Sequence, residues 1–315
     1  MPARSRTLAC ALFCSLLPAL AGAADSHDLP AAGNLELLAR GDIFVEANTS
    51  MKLPRGIAAR GSFFVPAPLE KVCDLLPVWN PQPHAELEIQ QYHGFALDAD
   101  PHFETLHLDE HTAATRRLFD TMRDRDGMPW SAAEQAQVPA SLSAENARTF
   151  WVGLLRGRWR AFATSGFRTA AGQFDARGEF KTLLAEEPKV AEHFAALLAA
   201  TPVALDAPGA PIHCYWQQKL VNGVAGFSLG AIYRQNSQFA DFEFCVSSGY
   251  HVALTLYELR SIDAGGAKGT LVWQESFGSS PLLTGGLGMK RKLATFAIES
   301  DARRSIRAFR ADAAR

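Results

Sequence analysis

The chain has 315 residues and a mass of 34.2 kDa, and 48% of its side chains are apolar whereas 20% are charged, the balance of a globular protein. Its formal charge of -2 provides no excess of positive charge to hold a polyanion, so we expect no nucleic acid partner. Beyond the N-terminus, no apolar stretch approaches the roughly 20 residues that a membrane-spanning helix needs.

The N-terminus has the three parts of a secretory signal peptide. Arg4 and Arg6 precede an apolar run over residues 8–20, and an Ala-Gly-Ala sequence ending at Ala23 supplies the small residues that a signal peptidase reads. We expect residues 1–23 to be removed and the mature protein to be periplasmic or secreted. A buried N-terminal helix is the alternative interpretation.

Three cysteines follow this segment: Cys73, Cys214 and Cys245. An odd number leaves at least one thiol unpaired, and no Cys-x-x-Cys or Cys-x-x-His spacing indicates zinc. Cys214 and Cys245 belong to the first and third strands of the meander predicted below, so their Cα atoms are too far apart to bridge. We expect buried thiols and no disulfide framework.

The first predicted elements are a strand, a helix and a second strand. Residues 24–55 are expected to form an N-terminal leader. The segment 56–65 has strand-like composition, and the Pro-Ala-Pro sequence after it stops a strand and can begin a helix. Apolar residues recur at helical spacing from Leu69 until Pro77 ends the helix, and residues 87–95 alternate as a half-buried strand does.

Over residues 105–205 the pattern becomes helical, with Ala, Leu, Arg and Glu dominant. Ser143 is the predicted N-cap of the best helix, whose apolar stripe runs from Trp151 to Phe162. Aromatic residues on one helix face are more often core than a cofactor site, so we interpret this stripe as core. Residues 206–211 are rich in Pro and Gly and predict a linker.

After the linker the apolar period becomes two. In the third strand candidate Phe242 and Phe244 alternate with Asp241 and Glu243, so one face is apolar and the other largely wet. Once such a sheet curls, its concave inner face is expected to be the apolar one. Five strand candidates predict an antiparallel meander, over residues 212–221, 226–235, 239–247, 250–261 and 270–277.

The chain ends in a long predicted helix over residues 282–313. Its apolar side contains Leu293, Phe296, Ile306 and Phe309. Lysines and arginines occupy its other side, which is either a solvated face or a contact with an anionic membrane surface.

Two junctions along the chain are informative together: FFVPAP at residues 63–68 before the first helix, and WQESF at residues 273–277 before the terminal helix. With the order strand, helix, meander and closing helix, they resemble the START-like helix-grip superfamily, also called SRPBCC or Bet v1-like. The resemblance covers residues 56–95 and 212–313. It implies an α+β fold in which a curved antiparallel sheet is gripped by a long C-terminal helix.

Members of that superfamily bind lipids, sterols or other apolar molecules in a cavity between sheet and terminal helix, and a minority are cyclases or hydrolases. The resemblance implies one domain over residues 56–313, interrupted by an inserted helical segment at 105–205. Together with the N-terminal signal peptide, it predicts an exported, non-enzymatic binding or carrier protein for a lipid or sterol-like molecule, without a cofactor. The predicted ligand contacts are Phe227, Leu229, Ala231, Tyr233, Phe242, Phe244, Tyr257, Trp273, Leu293 and Phe296.

The sequence from His107 to His111 has the His-x-x-Glu-His pattern of inverted zinc peptidases. In that motif helical spacing places two imidazoles on one metal, and the glutamate, here Glu110, acts as the base. Residues 104–117 are polar nearly all round, whereas such a site needs a further ligand on a well-packed helix, so we predict no metal site.

Polar side chains within the apolar strands leave alternatives open. They are either outward-facing cross-strand pairs or groups that orient a ligand, and they comprise Arg234, Glu243, His251, Tyr257 and Glu275. A cavity-based enzyme would use His251, Tyr257 or Glu275 as acid or base. A further alternative is an envelope protein that binds a partner through the helical segment.

Overall fold

The fold is built on one antiparallel sheet, whose strands come from residues 43–95 and 213–279. The computed structural model describes residues 32–48, 51–124, 128–168, 175–245, 247, 249–264, 266–283 and 288–315. The strands are β1 (Ile43–Asn48), β2 (Gly56–Val65), β3 (Ile89–Phe95), β4 (His213–Val221), β5 (Val224–Gln235), β6 (Gln238–Cys245), β7 (Val252–Ala264) and β8 (Ala267–Ser279). The helices are α1 (Ala32–Ala39), α2 (Leu69–Leu75), α3 (Ala113–Asp124), α4 (Ala132–Gln135), α5 (Ala144–Ser165), α6 (Ala176–Ala185), α7 (Pro188–His193), α8 (Ala195–Ala199) and α9 (Gly288–Ala313).

The sheet has the order β1-β2-β8-β7-β6-β5-β4-β3, and each neighbouring pair is antiparallel. The predicted early strands and the predicted meander are therefore confirmed, and the architecture is α+β with a curved sheet and a C-terminal helix. Asn222 and Gly223 both have positive φ in the turn between β4 and β5, as a tight hairpin requires. Because β5 separates β4 from β6, Cys214 and Cys245 lie on strands that are not neighbours, as predicted.

Part of the predicted N-terminal leader is folded, because it contains α1 and β1. Strand β1 is an edge strand beside β2. The unpaired backbone groups of an edge strand can pair with another chain and so promote aggregation. Side chains of α9 bind those groups. Glu299 accepts a hydrogen bond from the N–H of Ala47 at 3.0 Å, and Arg303 donates to the carbonyls of Ile43 and Val45 at 3.0 and 2.9 Å.

These contacts alter the interpretation of the basic side of α9. Besides Arg303, Arg310 donates to the carbonyl of Gly41 at 2.7 Å, and Arg304 forms an ion pair with Asp301. Two of the arginines considered for a membrane contact, Arg303 and Arg310, therefore bind the protein's own backbone. Within the described ranges, no helix is both long and apolar enough to cross a bilayer.

Helices α3 to α8 cover one face of the sheet, and α2 and α9 cover the opposite face. On the first face the packing is aromatic: ring centroids lie 4.6 Å apart for Trp151 and Phe227 and 5.0 Å apart for Phe180 and Phe242. On the second face Ile306 and Phe309 of α9 pack against β1, β2 and β8. The sheet is therefore the middle layer of three.

The predicted start of the best helix is confirmed. The hydroxyl of Ser143 accepts a hydrogen bond from the N–H of Asn146 at 3.2 Å, and the aromatic stripe of α5 from Trp151 to Phe162 is buried as core. The last two helices of this segment, α7 and α8, are separated by Phe194. That side chain is fully buried and stacks on Trp273 of β8 at 5.9 Å.

Two phenylalanines that the sequence predicts as ligand contacts should behave differently in stability measurements. Phe242 is fully buried among aromatic rings, whereas Phe296 is 72% exposed. We expect Phe242→Ala to lower the free energy of unfolding by about 3–5 kcal/mol. Phe296→Ala should change it by about 0.5 kcal/mol or less. Urea denaturation of both variants measures the difference, and equal effects would contradict the burial described here.

Candidate functional site

A cavity of about 180 Å³ lies between the sheet and α9, on the face of the sheet opposite α3 to α8. Three parts of the chain form its walls. The sheet contributes Tyr92, Tyr215, Gln217, Lys219, Ile232, Asp241, Glu243 and Tyr257. The segment between α2 and β3 contributes Leu76, Trp79, Pro81 and Leu87, and the first residue of β3 contributes Ile89. Helix α9 contributes Asp301, Arg304 and Ser305.

Small residues on the α9 side of the sheet leave room for this cavity. Successive residues of a strand point to opposite faces, so Ser228 and Gly230 of β5 face α9 while the large apolar residues between them face the helical segment. A Cβ atom at Gly230 would lie 2.1 Å from the ring of Tyr215 on the neighbouring strand. The Tyr215 ring therefore lies over Gly230, and it stacks on Tyr92 at 5.4 Å.

Tyr215 directs its hydroxyl at Asp241 on β6. The phenol donates a hydrogen bond to Asp241 Oδ1 at 3.0 Å. Burial, together with the negative charge of Glu243, raises the pKa of Asp241 to about 7, although the Tyr215 hydrogen bond opposes this. Asp241 can therefore exchange a proton near neutral pH.

Glu243 is held more firmly than Asp241. Its Oε1 accepts hydrogen bonds from Gln217 Nε2 at 2.7 Å and from the hydroxyls of Ser228 and Tyr250. These three donors hold the Glu243 carboxyl in place, two residues from Asp241 on the same face of β6.

A second polar cluster fastens α9 to the segment between α2 and β3. Asp312 near the end of α9 accepts hydrogen bonds from Trp79 Nε1 at 2.9 Å and His84 Nε2 at 2.7 Å. Both hydrogen bonds lower the pKa of Asp312, and the bond from Trp79 has the larger effect. Trp79 also meets the Phe309 ring edge-on at 5.4 Å. We call the contacts among Asp312, Trp79 and His84 the α9 latch.

Most of the predicted apolar wall lies on the other face of the sheet. There the residues pack against rings of the helical segment rather than facing α9, because that segment covers the apolar face. The assignment of these residues to a cavity beside α9 is therefore wrong; they are Phe227, Leu229, Ala231, Tyr233, Phe242 and Phe244.

The remaining predicted contacts are scattered. Tyr257 lines the cavity, and burial raises its pKa above the ordinary value. Trp273 stacks on Phe194 on the opposite face of the sheet. Leu293 and Phe296 are 65% and 72% exposed on the first turns of α9, so neither faces the sheet.

The three candidate acids or bases do not meet. Glu275 lies opposite Leu256 and on the face away from Tyr257, where Arg60 binds its Oε2 at 2.6 Å. Burial raises the pKa of Glu275 to about 7, and its Oε1 has no partner among the described residues. His251 lies near Glu179, a buried carboxylate of α6 that Arg55 binds at 2.5 Å. Of the three alternatives, Tyr257 is the one that lines the cavity beside α9.

The His-x-x-Glu-His sequence is not helical. His107 lies in a non-helical segment, and its backbone N–H and carbonyl are hydrogen-bonded by the Gln91 side chain. Glu110 and His111 lie in the turn before α3. Both histidines are exposed. The spacing of four therefore does not bring the two imidazoles together on a helix face. Within the described residues the group with metal-compatible geometry is Asp100, His102 and Glu104, all exposed.

Comparisons of the chain with family models, with curated proteins and with solved structures found no match. The resemblance to the START-like superfamily therefore stays a prediction. The cavity has to be interpreted from its own chemistry.

Sequence reasoning missed Asp241, Tyr215, Tyr92 and Gln217 as cavity residues. The available signal was the charged pair in β6, two carboxylates alternating with phenylalanines, which we interpreted as a wet outer face. The alternation along β6 does not indicate that α9 covers the face containing Asp241 and Glu243.

The α9 latch should contribute to stability at neutral pH. We expect Asp312→Asn to lower the free energy of unfolding by about 1–2 kcal/mol, because hydrogen bonds to a charged acceptor are weakened. Since the pKa of Asp312 is lower in the folded state, its contribution is present above the unfolded pKa and is lost as the pH falls through the folded value. Thermal melts between pH 7 and pH 3 should therefore converge for the two proteins. Asp120→Asn, at a solvent-exposed ion pair with Arg123, is the control and should have little effect.

Asp241 should have the opposite effect. Its pKa is raised to about 7 in the folded state, so its contribution to stability is greatest below the unfolded pKa and is lost as the pH rises from that value through about 7. We expect Asp241→Asn to stabilise the protein at pH 8, by about 2–4 kcal/mol, and to do so much less at pH 4. Denaturation at the two pH values tests this, and a destabilised variant at pH 8 would contradict it.

Proposed function

We propose that this protein binds and carries a small organic molecule in the cavity between the sheet and α9. The observation that supports the proposal most directly is the cavity itself, a space walled by three separate parts of the chain and joining apolar side chains to a few convergent polar groups. Such mixed lining is typical of small-molecule sites, in which apolar surface provides affinity and polar groups fix orientation.

The lining residues and the volume of the cavity indicate the polarity and the size of the ligand. Leu76, Leu87 and Ile89 offer an apolar side, whereas Asp241 and Glu243 lie at the sheet. At about 180 Å³ the cavity is below the roughly 300–1,000 Å³ of sites for drug-sized ligands, so a whole sterol or lipid does not fit it as it stands. The cargo is therefore a small amphipathic molecule or one end of a larger apolar one.

Kinship with the START-like superfamily is part of this proposal. Support comes from the order of elements, in which β2 leads into α2, the last strand lies beside β2, and α9 closes the chain. In this proposal α3 to α8 are an insertion that covers the outer face of an older helix-grip sheet. Export to the periplasm or beyond is also proposed, on the N-terminal sequence alone, which lies outside the described residues.

An enzyme in the same cavity is the second candidate. It is favoured by the pKa of Asp241, near 7, because a general acid or base works best when its pKa lies near the operating pH. Tyr215 would orient the carboxyl through its hydrogen bond. A carrier releases its cargo unchanged, whereas an enzyme alters it, so the mass of a recovered ligand before and after incubation separates the two.

The test of the proposal is to fill the cavity. The exported protein is purified from its own host and examined by native mass spectrometry and organic extraction. We expect a discrete small molecule at close to one per protein, and at least tenfold less of it in Ile89→Trp, whose larger ring occupies the cavity. Ile212→Trp is the matched control, because Ile212 is exposed and does not line the cavity.

A folded Ile89→Trp that retains the same ligand would place binding elsewhere, and an empty wild-type protein would overturn the proposal. If Ile89→Trp does not fold, Ser305→Phe fills the same space from α9.

A further inference from the structure

The charges in the cavity identify a class of ligand. We propose that the ligand carries a protonated amine or a similarly compact organic cation, which Asp241 and Glu243 bind at the sheet end of the cavity. This inference rests on the proposed function, because it assumes that the cavity is the binding site.

The first support is an imbalance of charge. Asp241 and Glu243 line the cavity side by side, and among the described residues no Lys, Arg or His forms an ion pair with either. Buried carboxylates are normally paired, since an isolated buried charge is costly. A cation from outside the chain would complete the arrangement that the protein leaves incomplete.

The second support is the hydrogen-bonding capacity that remains. Glu243 Oε1 already accepts three hydrogen bonds, whereas Asp241 accepts one, from Tyr215 at Oδ1. Asp241 Oδ2 has no donor among the described residues. An ammonium group has three N–H donors and no acceptor, so it fits this oxygen better than a hydroxyl or a carboxylate does.

The third support is the kind of side chain around the carboxylates. Rings of Tyr92, Tyr215 and Tyr257 line the space on the sheet side, and aromatic faces attract organic cations. A divalent metal ion is a poorer fit, because Ca²⁺ and Mg²⁺ need six or more oxygen ligands and two carboxylates supply few of them.

Basic side chains also line the cavity, and they do not neutralise the pair. Arg304 is paired with Asp301 on α9, and Lys219 forms no ion pair with Asp241 or Glu243 in the described part of the chain. Arg304 Nε is buried and has no acceptor among the described residues. This N–H is a donor for an oxygen of the same ligand, at the α9 side.

Three probes of matched shape test the inference: 2-phenylethylamine, 2-phenylethanol and phenylacetate, which share a ring and chain and differ in the terminal group. Binding is measured by isothermal titration calorimetry at pH 8 to wild type, Asp241→Asn and the exposed control Asp120→Asn. We expect the amine to bind wild type and the control at least tenfold more tightly than the alcohol. In Asp241→Asn that preference should fall to less than threefold, and phenylacetate should bind none of the proteins measurably.

Equal affinity of the amine and the alcohol for wild type would overturn the inference that the ligand is a cation, while the proposal of a small-molecule site would stand. An amine preference that persists in a folded Asp241→Asn would overturn the assignment of the cation to Asp241. Recovery from the host of a bound molecule without a basic nitrogen would overturn the inference but not the proposed function. The proposed function itself fails separately, through an empty wild-type protein or a ligand that Ile89→Trp retains.

Discussion

The two-residue alternation along β5 and β6 is the constraint on which the rest of the structure depends. It places phenylalanines and leucines on one face of the sheet and Ser228, Gly230, Asp241 and Glu243 on the other. The first face can be stable only under an apolar cover, which α3 to α8 provide through rings such as Trp151. The second face meets α9 over only part of its area, and the space that remains beside its tyrosine rings is the cavity. One strand pattern thus produces both the core and the candidate site.

The C-terminal helix does two structural jobs at once. Towards one end of the sheet it covers the edge strand β1, where Glu299 and Arg303 bind backbone groups that would otherwise be unpaired. Near its own end it is fastened by the α9 latch to the segment between α2 and β3. Because α9 is held on both sides, it spans the cavity without filling it. The contacts at this end of α9 therefore combine the polar latch with apolar packing of Phe309 on Trp79.

The polar floor of the cavity has a cost in stability, because burial raises the pKa of Asp241. Asp241 is desolvated beside a second carboxylate, and the described part of the chain supplies it with the Tyr215 hydroxyl but with no cation. Glu275, the other carboxyl whose pKa is raised to about 7, differs in having Arg60 beside it on the helical side of the sheet. Binding sites commonly retain groups that reduce the stability of the empty protein. The Asp241 carboxyl, and not the Glu275 carboxyl, opens onto a space that a ligand can enter.

The sequence by itself determined the local features: the strands of the meander, the cap at Ser143, the core stripe of α5, and which residues of β6 share a face. These follow from short-range chemistry, namely strand pleating, helix capping and side-chain spacing. Only the tertiary structure decided which element covers each face. Both α9 and the helical segment have apolar surface, and periodicity does not state which of them meets Phe242 and Phe244. That choice depends on contacts between residues far apart in the chain, and it moved the site from the aromatic face to the acidic one.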